Sequence, residues 1–238
     1  MITPQKNSTE SKKSQVANMF NNIAKSYDFL NHTLSFGMDF YWRKKAINQL
    51  VNNPKRILDI ATGTADFAIA ASKLDKAEII GIDISKKMIE IGNKKIKSKG
   101  LESRIKLQLA DSEDLPFKND HFHAITAGFG VRNFENIKKG LTEIWRVLQE
   151  NGIVVILEPS TPRAFPIKQI YRIYFHQILP FLGRLISKDR NAYNYLPESV
   201  DAFPENKEFV TILKDVGFSE VKFTPLTFGI VSLYIAIK

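Results

Sequence analysis

The stretch Ile57-Leu-Asp-Ile-Ala-Thr-Gly-Thr-Ala65 decides the fold. Its first half is apolar around one acid; its second half is small, with a single glycine. A short apolar run bounded by such residues reads as a buried strand that delivers the chain into a tight turn. Gly63 lets the backbone approach a ligand closely or take a positive φ.

The same grammar repeats outward from this turn. The spacing predicts strands over 56–61, 78–84, 104–110, 123–129 and 152–157, with helices over 64–74, 85–99 and 136–149 between them. Ser85 is a cap signal, and Ile137, Leu141, Ile144, Val147 and Leu148 share one helical face. A helix over 205–216 closed by Gly217 precedes strands over 221–226 and 230–238, whose short Thr227-Phe-Gly229 link makes them antiparallel. Continuous apolar strands joined by helices mean a parallel sheet covered on both faces. The expected fold is α/β: a Rossmann-like, doubly wound, seven-stranded sheet with an antiparallel C-terminal hairpin, the class I S-adenosylmethionine-dependent methyltransferase architecture. Residues 15–238 make one domain after a disordered tail over 1–14. Residues 15–54 form an N-terminal helical lid, with helical spacing at 16, 20, 23 and 27, a second helix over 40–51 and a break at Asn52-Asn-Pro54. The aromatic, proline-punctuated stretch over 160–204 reads as an inserted substrate lid.

Composition narrows the function classes. The 238 residues are 44% hydrophobic and 25% charged, a globular balance, and contain no cysteine. That excludes disulfides, thiolate nucleophiles and cysteine-held metals. The net charge of +9 is scattered; its densest run, Lys94-Lys95-Ile-Lys97-Ser-Lys99, is a solvated helix face, so nucleic acid is not the expected partner. No apolar run approaches the ~20 residues needed to span a bilayer, and the polar N-terminus does not read as a signal peptide. A cytoplasmic protein is expected.

Ligands of open α/β sheets bind at the carboxyl ends of the strands. Helix-start N–H groups after Gly63 suit an anion such as the cofactor's methionine carboxylate. Asp59, inside the strand, binds the cofactor's amino group or braces the turn. Asp83, twenty residues after Gly63, suits a ribose. Asp111 and Ser112, after the third strand, read adenine or merely cap a turn. A dinucleotide needs G-x-G-x-x-G, and this turn holds Gly63 alone. The three strand ends together point to an adenosyl cofactor, S-adenosylmethionine, leaving as S-adenosylhomocysteine.

Further segments carry a more specific likeness. Met19-Phe-Asn-Asn-Ile-Ala-Lys-Ser-Tyr27-Asp28-Phe-Leu-Asn31, Leu34-Ser-Phe-Gly37, Trp42-Arg43, Phe129-Gly-Val-Arg132-Asn133, Glu158-Pro-Ser160-Thr-Pro162 and Tyr193-Asn-Tyr195-Leu-Pro-Glu-Ser199 with Phe203-Pro204 stand in order along the chain. In these the chain resembles the ubiquinone/menaquinone biosynthesis C-methyltransferases. The resemblance implies methyl transfer to a ring carbon of a polyprenylated quinol, demethylmenaquinol to menaquinol. It places cofactor contacts on Thr64, Asp83, Asp111 and Ser112. Three positions depart from the family pattern: Ala65 for a usual glycine, Gly128 where some members have a cofactor-touching serine, and His123 for a frequent aspartate.

Carbon methylation needs a ring hydroxyl to lose its proton so that the ortho carbon becomes nucleophilic. Arg132 and Asn133 are expected to hold that oxygen, with a structural ion pair as the plain alternative for Arg132. Tyr27 and His176 are the other candidates, His176 otherwise being a packed lid residue. His121-x-His123 is expected in a turn, with no metal required. The segment 165–186, with Lys168, Arg172 and Arg184 among its aromatics, fits a cover over an isoprenoid tail and reversible contact with the inner face of the membrane. A homodimer stays open. The competing readings are a methyltransferase for another small phenolic or lipid substrate, a cofactor-binding protein without catalysis, and a nucleic-acid methyltransferase, which commonly carries Asn/Asp-Pro-Pro-Tyr/Phe where this chain has Gly128-Phe-Gly-Val-Arg132.

Overall fold

Ile57, Leu58 and Ile60 are sealed from solvent because β1 (Arg56–Ile60) runs through the middle of the sheet. The computed structural model describes residues 2–51, 53–180 and 190–238. Around β1 lie β2 (Glu78–Asp83), β3 (Ile105–Leu109), β4 (Phe122–Gly128), β5 (Leu148–Pro159), β6 (Glu220–Leu226) and β7 (Val231–Ile237), in the order β3-β2-β1-β4-β5-β7-β6. The first five are parallel, and β7 runs antiparallel to both β5 and β6. This is the class I methyltransferase sheet expected from the strand pattern.

The described helices are α1 (Lys12–Leu34), α2 (Met38–Ile47), α3 (Asp66–Ala71), α4 (Lys86–Ser98), α5 (Ile137–Val147), α6 (Ile167–Ile173), α7 (Arg190–Asp201) and α8 (Lys207–Val216). Side-chain caps start three of them: Ser11 Oγ accepts from the Ser14 N–H at 3.2 Å, Ser85 Oγ from the Met88 N–H at 3.3 Å, and Asn136 Oδ1 from the Lys139 N–H at 3.0 Å. Alternate β1 residues face opposite cores, as the two-residue period of a strand demands. Leu58 and Ile60 pack with Leu141 and Ile144 of α5 and Phe209 of α8, while Ile57 packs with Trp42, Ala46, Phe67 and Ala68. A third core joins Val16, Met19 and Ile23 of α1 to Tyr171, Phe175 and Tyr195 of the 160–204 segment, roofing the carboxyl edge of the sheet.

Three boundaries differ from expectation. Helix α1 begins at Lys12, inside the stretch expected to be disordered. Ser11 caps it, and the Lys12 ammonium donates to the carbonyls of Arg132 (3.1 Å) and Phe134 (2.7 Å), partners too remote in sequence for local pattern to reveal. Helix α2 spans 38–47 rather than 40–51. Strand β5 starts at Leu148, pairing with Phe122 across a register shift, and so exceeds the expected 152–157. Arg184 and Asn52 lie outside the described residues.

Tyr234 of β7 is 1% exposed and stacks edge-on against Phe209, ring centroids 4.8 Å apart. Its hydroxyl accepts the N–H of Asn206, the residue before α8, at 2.7 Å. Tyr234→Phe keeps the ring and orphans that donor. We expect urea denaturation to show a loss of about 1–2 kcal/mol without a change in m.

Candidate active site: a cleft that opens on an apolar cavity

The chain leaves β1 through a turn in which Ala61 (φ 51°), Gly63 (φ 56°) and Ala65 (φ 70°) all lie in the left-handed region. Two non-glycines there store strain and need support. Asp59, fully buried, accepts the hydroxyls of Thr62 (2.6 Å) and Thr126 (2.7 Å), fixing the turn to β4. Burial pushes its carboxyl up to about 6, and the two hydroxyls pull the other way. Of the two roles considered for Asp59, its contacts are those of a brace, and its side chain does not reach the cleft lining. Thr64 also turns away: its hydroxyl binds Asp28 of α1, and Lys95 Nζ lies 3.2 Å from it. Lys95 further pairs with Asp28 and Asp66, so the acidic group Asp28–His32–Asp66 already holds an ammonium.

The cleft lies beyond this turn. Asp83, at the end of β2, accepts the Gly63 N–H on Oδ2 (2.9 Å) and the Ser85 N–H on Oδ1 (2.8 Å). The Ile84 N–H also acts on this carboxylate, whose roughly four lone-pair sites still leave room for a ligand hydroxyl. Burial pushes Asp83 up to about 6 against the pull of these N–H groups. Asp111 accepts the Glu113 N–H at 2.9 Å and pairs with Lys13 of α1. Ser112 and Gly128 also line the cleft, with Val16, Ile84, Met88 and Phe134 as apolar walls. A Cβ at Gly128 would sit 2.8 Å from the Phe67 ring, so packing behind the strand explains glycine at this departure from the family pattern. A paired carboxylate for a diol, apolar walls for a flat ring and an N–H-lined turn fit an adenosyl cofactor. With α1 drawn in by Lys13, the open volume is about 60 Å³.

Phe20, Tyr27, Phe129 and Asn133 form a common wall between this cleft and a second cavity of about 670 Å³. That cavity is lined mainly by apolar side chains of α1, α2, α6 and α7. The turn Val131–Asn133 after β4 gives it one polar patch, and Asn31, Asp39 and Arg43 give it others. Arg132 Nη1 donates to Glu158 Oε2 at 2.9 Å and to the Phe129 carbonyl, while the Arg132 backbone N–H reaches Glu158 Oε1 at 3.3 Å. Glu158, 0% exposed, is raised by burial and pulled down by this guanidinium. Tyr27 has a side-chain hydrogen bond with Asn31, and burial raises its phenol. His176 is not brought to either cavity: it is exposed and 3.7 Å from Asp201. His123 Nδ1 accepts the Arg56 N–H at 3.2 Å, and His121 stacks on Phe117. Sequence reasoning named Glu158 and Tyr195 only within motifs and did not single out Tyr171; both tyrosines line the same cavity. An acid ending an otherwise apolar strand was the available signal for Glu158.

A model of the ubiE/COQ5 methyltransferase family matches residues 8–238. The demethylmenaquinone methyltransferase of Bacteroides fragilis is 50% identical, over 97% of this chain and 96% of its own. The ubiquinone/menaquinone biosynthesis C-methyltransferase UbiE of Geotalea daltonii is 45% identical, over 94% and 96%. Among solved structures, a SAM-dependent methyltransferase of Aquifex aeolicus aligns with a TM-score of 0.61 at 16% identity, over 84% of this chain and 91% of its own, a likeness of fold.

Asp59 and Asp83 titrate near 6, above the ordinary 3.8. Their protonation therefore favours the folded, ligand-free chain: that stability is complete below the unfolded value and is lost as pH rises through about 6. Ribose hydroxyls, in contrast, donate to an ionised Asp83. Calorimetry should show affinity for S-adenosylhomocysteine falling between about pH 7.5 and about pH 5.5, while thermal stability of the ligand-free protein rises. Asp83→Asn should flatten the affinity profile and weaken binding roughly tenfold or more at the upper pH.

Proposed function

The chain belongs to the ubiE/COQ5 methyltransferase family, and on that premise we propose that it methylates a ring carbon of a polyprenylated quinol, taking demethylmenaquinol to menaquinol with S-adenosylmethionine as donor. The observation that carries this reading is the common wall of Phe20, Tyr27, Phe129 and Asn133. It sets the cofactor cleft directly against a cavity whose size and apolar lining suit a bicyclic ring and the first part of an isoprenoid chain.

S-adenosylmethionine supplies a methyl group already activated on a sulfonium, so the protein's task is placement and charge. Arg132, in the cavity lining, has its Nη1 engaged by Glu158 and the Phe129 carbonyl while Nε lacks a protein partner. An N–H held in that way stabilises a phenolate oxygen as the ring hydroxyl loses its proton. The guanidinium does not take the proton itself, since it stays charged. Asn133 Oδ1, also unpartnered, accepts from a ring hydroxyl, and its Nδ2 is turned to the Phe129 carbonyl at 3.5 Å. Tyr27, in the common wall, packs where ring and methyl donor meet.

A lipid substrate also accounts for the outer surface. Phe36 and Phe228, at the rim of the cavity, are 82% and 77% exposed, and Ile170 and Ile173 of α6 are exposed near Lys168 and Arg172. Apolar side chains flanked by cations suit an anionic bilayer surface. Among the described residues no helix is long and apolar enough to cross a membrane. Contact is then peripheral, with the cavity mouth toward the lipid.

Two experiments test the reading. With labelled cofactor and demethylmenaquinol in detergent, label is expected in menaquinol; Arg132→Lys should lower kcat about a hundredfold or more while S-adenosylhomocysteine affinity stays level. No transfer by the wild type rejects the substrate, and an unchanged kcat in the variant rejects the role of Arg132. In flotation with anionic vesicles the protein is expected to rise with the lipid, and a Phe36→Ser/Phe228→Ser variant to remain below. Equal behaviour of the two would remove the membrane contact.

A further inference from the structure

Four buried polar atoms lack a hydrogen-bond partner among the described residues: Arg132 Nε, Asn133 Oδ1 and the hydroxyls of Tyr171 and Tyr195. All four side chains line the large cavity. Arg132 and Asn133 belong to the turn after β4. The tyrosines come from elsewhere, Tyr171 from α6 and Tyr195 from α7, and are 6% and 3% exposed. Buried hydroxyls are ordinarily satisfied, because leaving one without a partner costs folding free energy. Two such hydroxyls in one cavity therefore mark a place where a ligand supplies the missing partner.

Tyr171 and Tyr195 line the same cavity as Arg132 and Asn133. Burial holds Tyr195 up to about 12, and Tyr171 higher still, so both remain neutral hydroxyls that donate and accept. A ring with two hydroxyls on opposite carbons needs two polar stations. Arg132 and Asn133 supply one.

We propose that Tyr171 and Tyr195 are positioning residues that together grip the ring hydroxyl para to the one held by Arg132 and Asn133. The cavity then reads both oxygens of an aromatic 1,4-diol. Because α6 and α7 bring the second station, occupation by the diol also pins these two segments over the ring. The inference rests on the quinol reading above and adds the residues that recognise the second oxygen.

The test compares Tyr171→Phe, Tyr195→Phe and the double variant on two soluble substrates with short prenyl chains. One is the 1,4-naphthalenediol; the other is the naphthol that keeps only the hydroxyl ortho to the methylated carbon. On the diol, each variant should raise KM about tenfold, with a smaller change in kcat. On the naphthol, the wild type should already show that weaker binding and the variants should add nothing. In the ligand-free protein the melting temperature should hold or rise, because each substitution removes an unsatisfied hydroxyl; this is opposite in sign to Tyr234→Phe, which orphans a donor. S-adenosylhomocysteine affinity should not move. Equal losses on both substrates, or a fall in melting temperature with unchanged KM on the diol, would assign the tyrosines to structure and overturn the proposal. Failure of the wild type to methylate the diol would instead reject the quinol reading itself.

Discussion

The buried carboxylate of Asp59, accepting the hydroxyls of Thr62 and Thr126, is the contact on which the site depends. It ties the exit of β1 to β4 and holds a turn containing two left-handed alanines, Ala61 and Ala65. A turn of that shape aims the Gly63 N–H at Asp83 on the neighbouring strand, and so sets the carboxylate that faces the cleft. The brace itself never faces the cleft. Its burial raises the cost of its charge, and the two hydroxyls offset part of that cost. Loss of either hydroxyl would leave a desolvated charge under a strained turn, which is the costliest way to break such a contact.

The roof over the sheet is held by polar contacts as much as by its apolar core. Lys95 of α4 joins Asp28 of α1 to Asp66 of α3, Lys13 reaches Asp111, and Lys12 caps the carbonyls of Arg132 and Phe134. Burial lowers the Lys12 ammonium, with Glu113 and Glu135 acting against that shift. Pairs of this kind add little net stability once desolvation is counted. Their value lies in direction: Lys13 ties α1 to Asp111 of the cleft, Lys12 ties it to the turn after β4, and Asp28 ties it through Lys95 to α3 and α4.

The sheet was legible in the sequence because buried parallel strands read as largely apolar runs, as β1, β2 and residues 153–157 of β5 do. Asp83 and Asp111 were legible because each stands where a strand stops. Direction was not legible. Asp59 and Thr64 have the right chemistry at the right turn, yet one points into the sheet and the other at α1. His176 sits in the right segment on its outer side. Tyr171 and Tyr195 were given no role for a related reason: in a stretch rich in aromatics, only packing decides which rings turn a hydroxyl inward. The start of α1 at Lys12 depended on carbonyls more than a hundred residues away, beyond any local pattern.

Two places in the molecule treat the same chemistry in opposite ways. Around Tyr234 every demand is met within the protein: the ring packs against Phe209 and the hydroxyl takes the Asn206 N–H. Around Arg132 the ion pair with Glu158 is complete while Nε, Asn133 Oδ1 and two phenols are left open. Each open atom is a stability deficit in the free chain, and a native protein keeps few of them. Their convergence on one cavity follows if selection for a bound ring outweighs selection for stability there. The deficit is local, since the sheet beneath is closed and fully packed. The fold thus separates the two requirements, with rigidity in the strands that hold Asp59 and Asp83, and unsatisfied polarity on the turn and helices that meet the substrate.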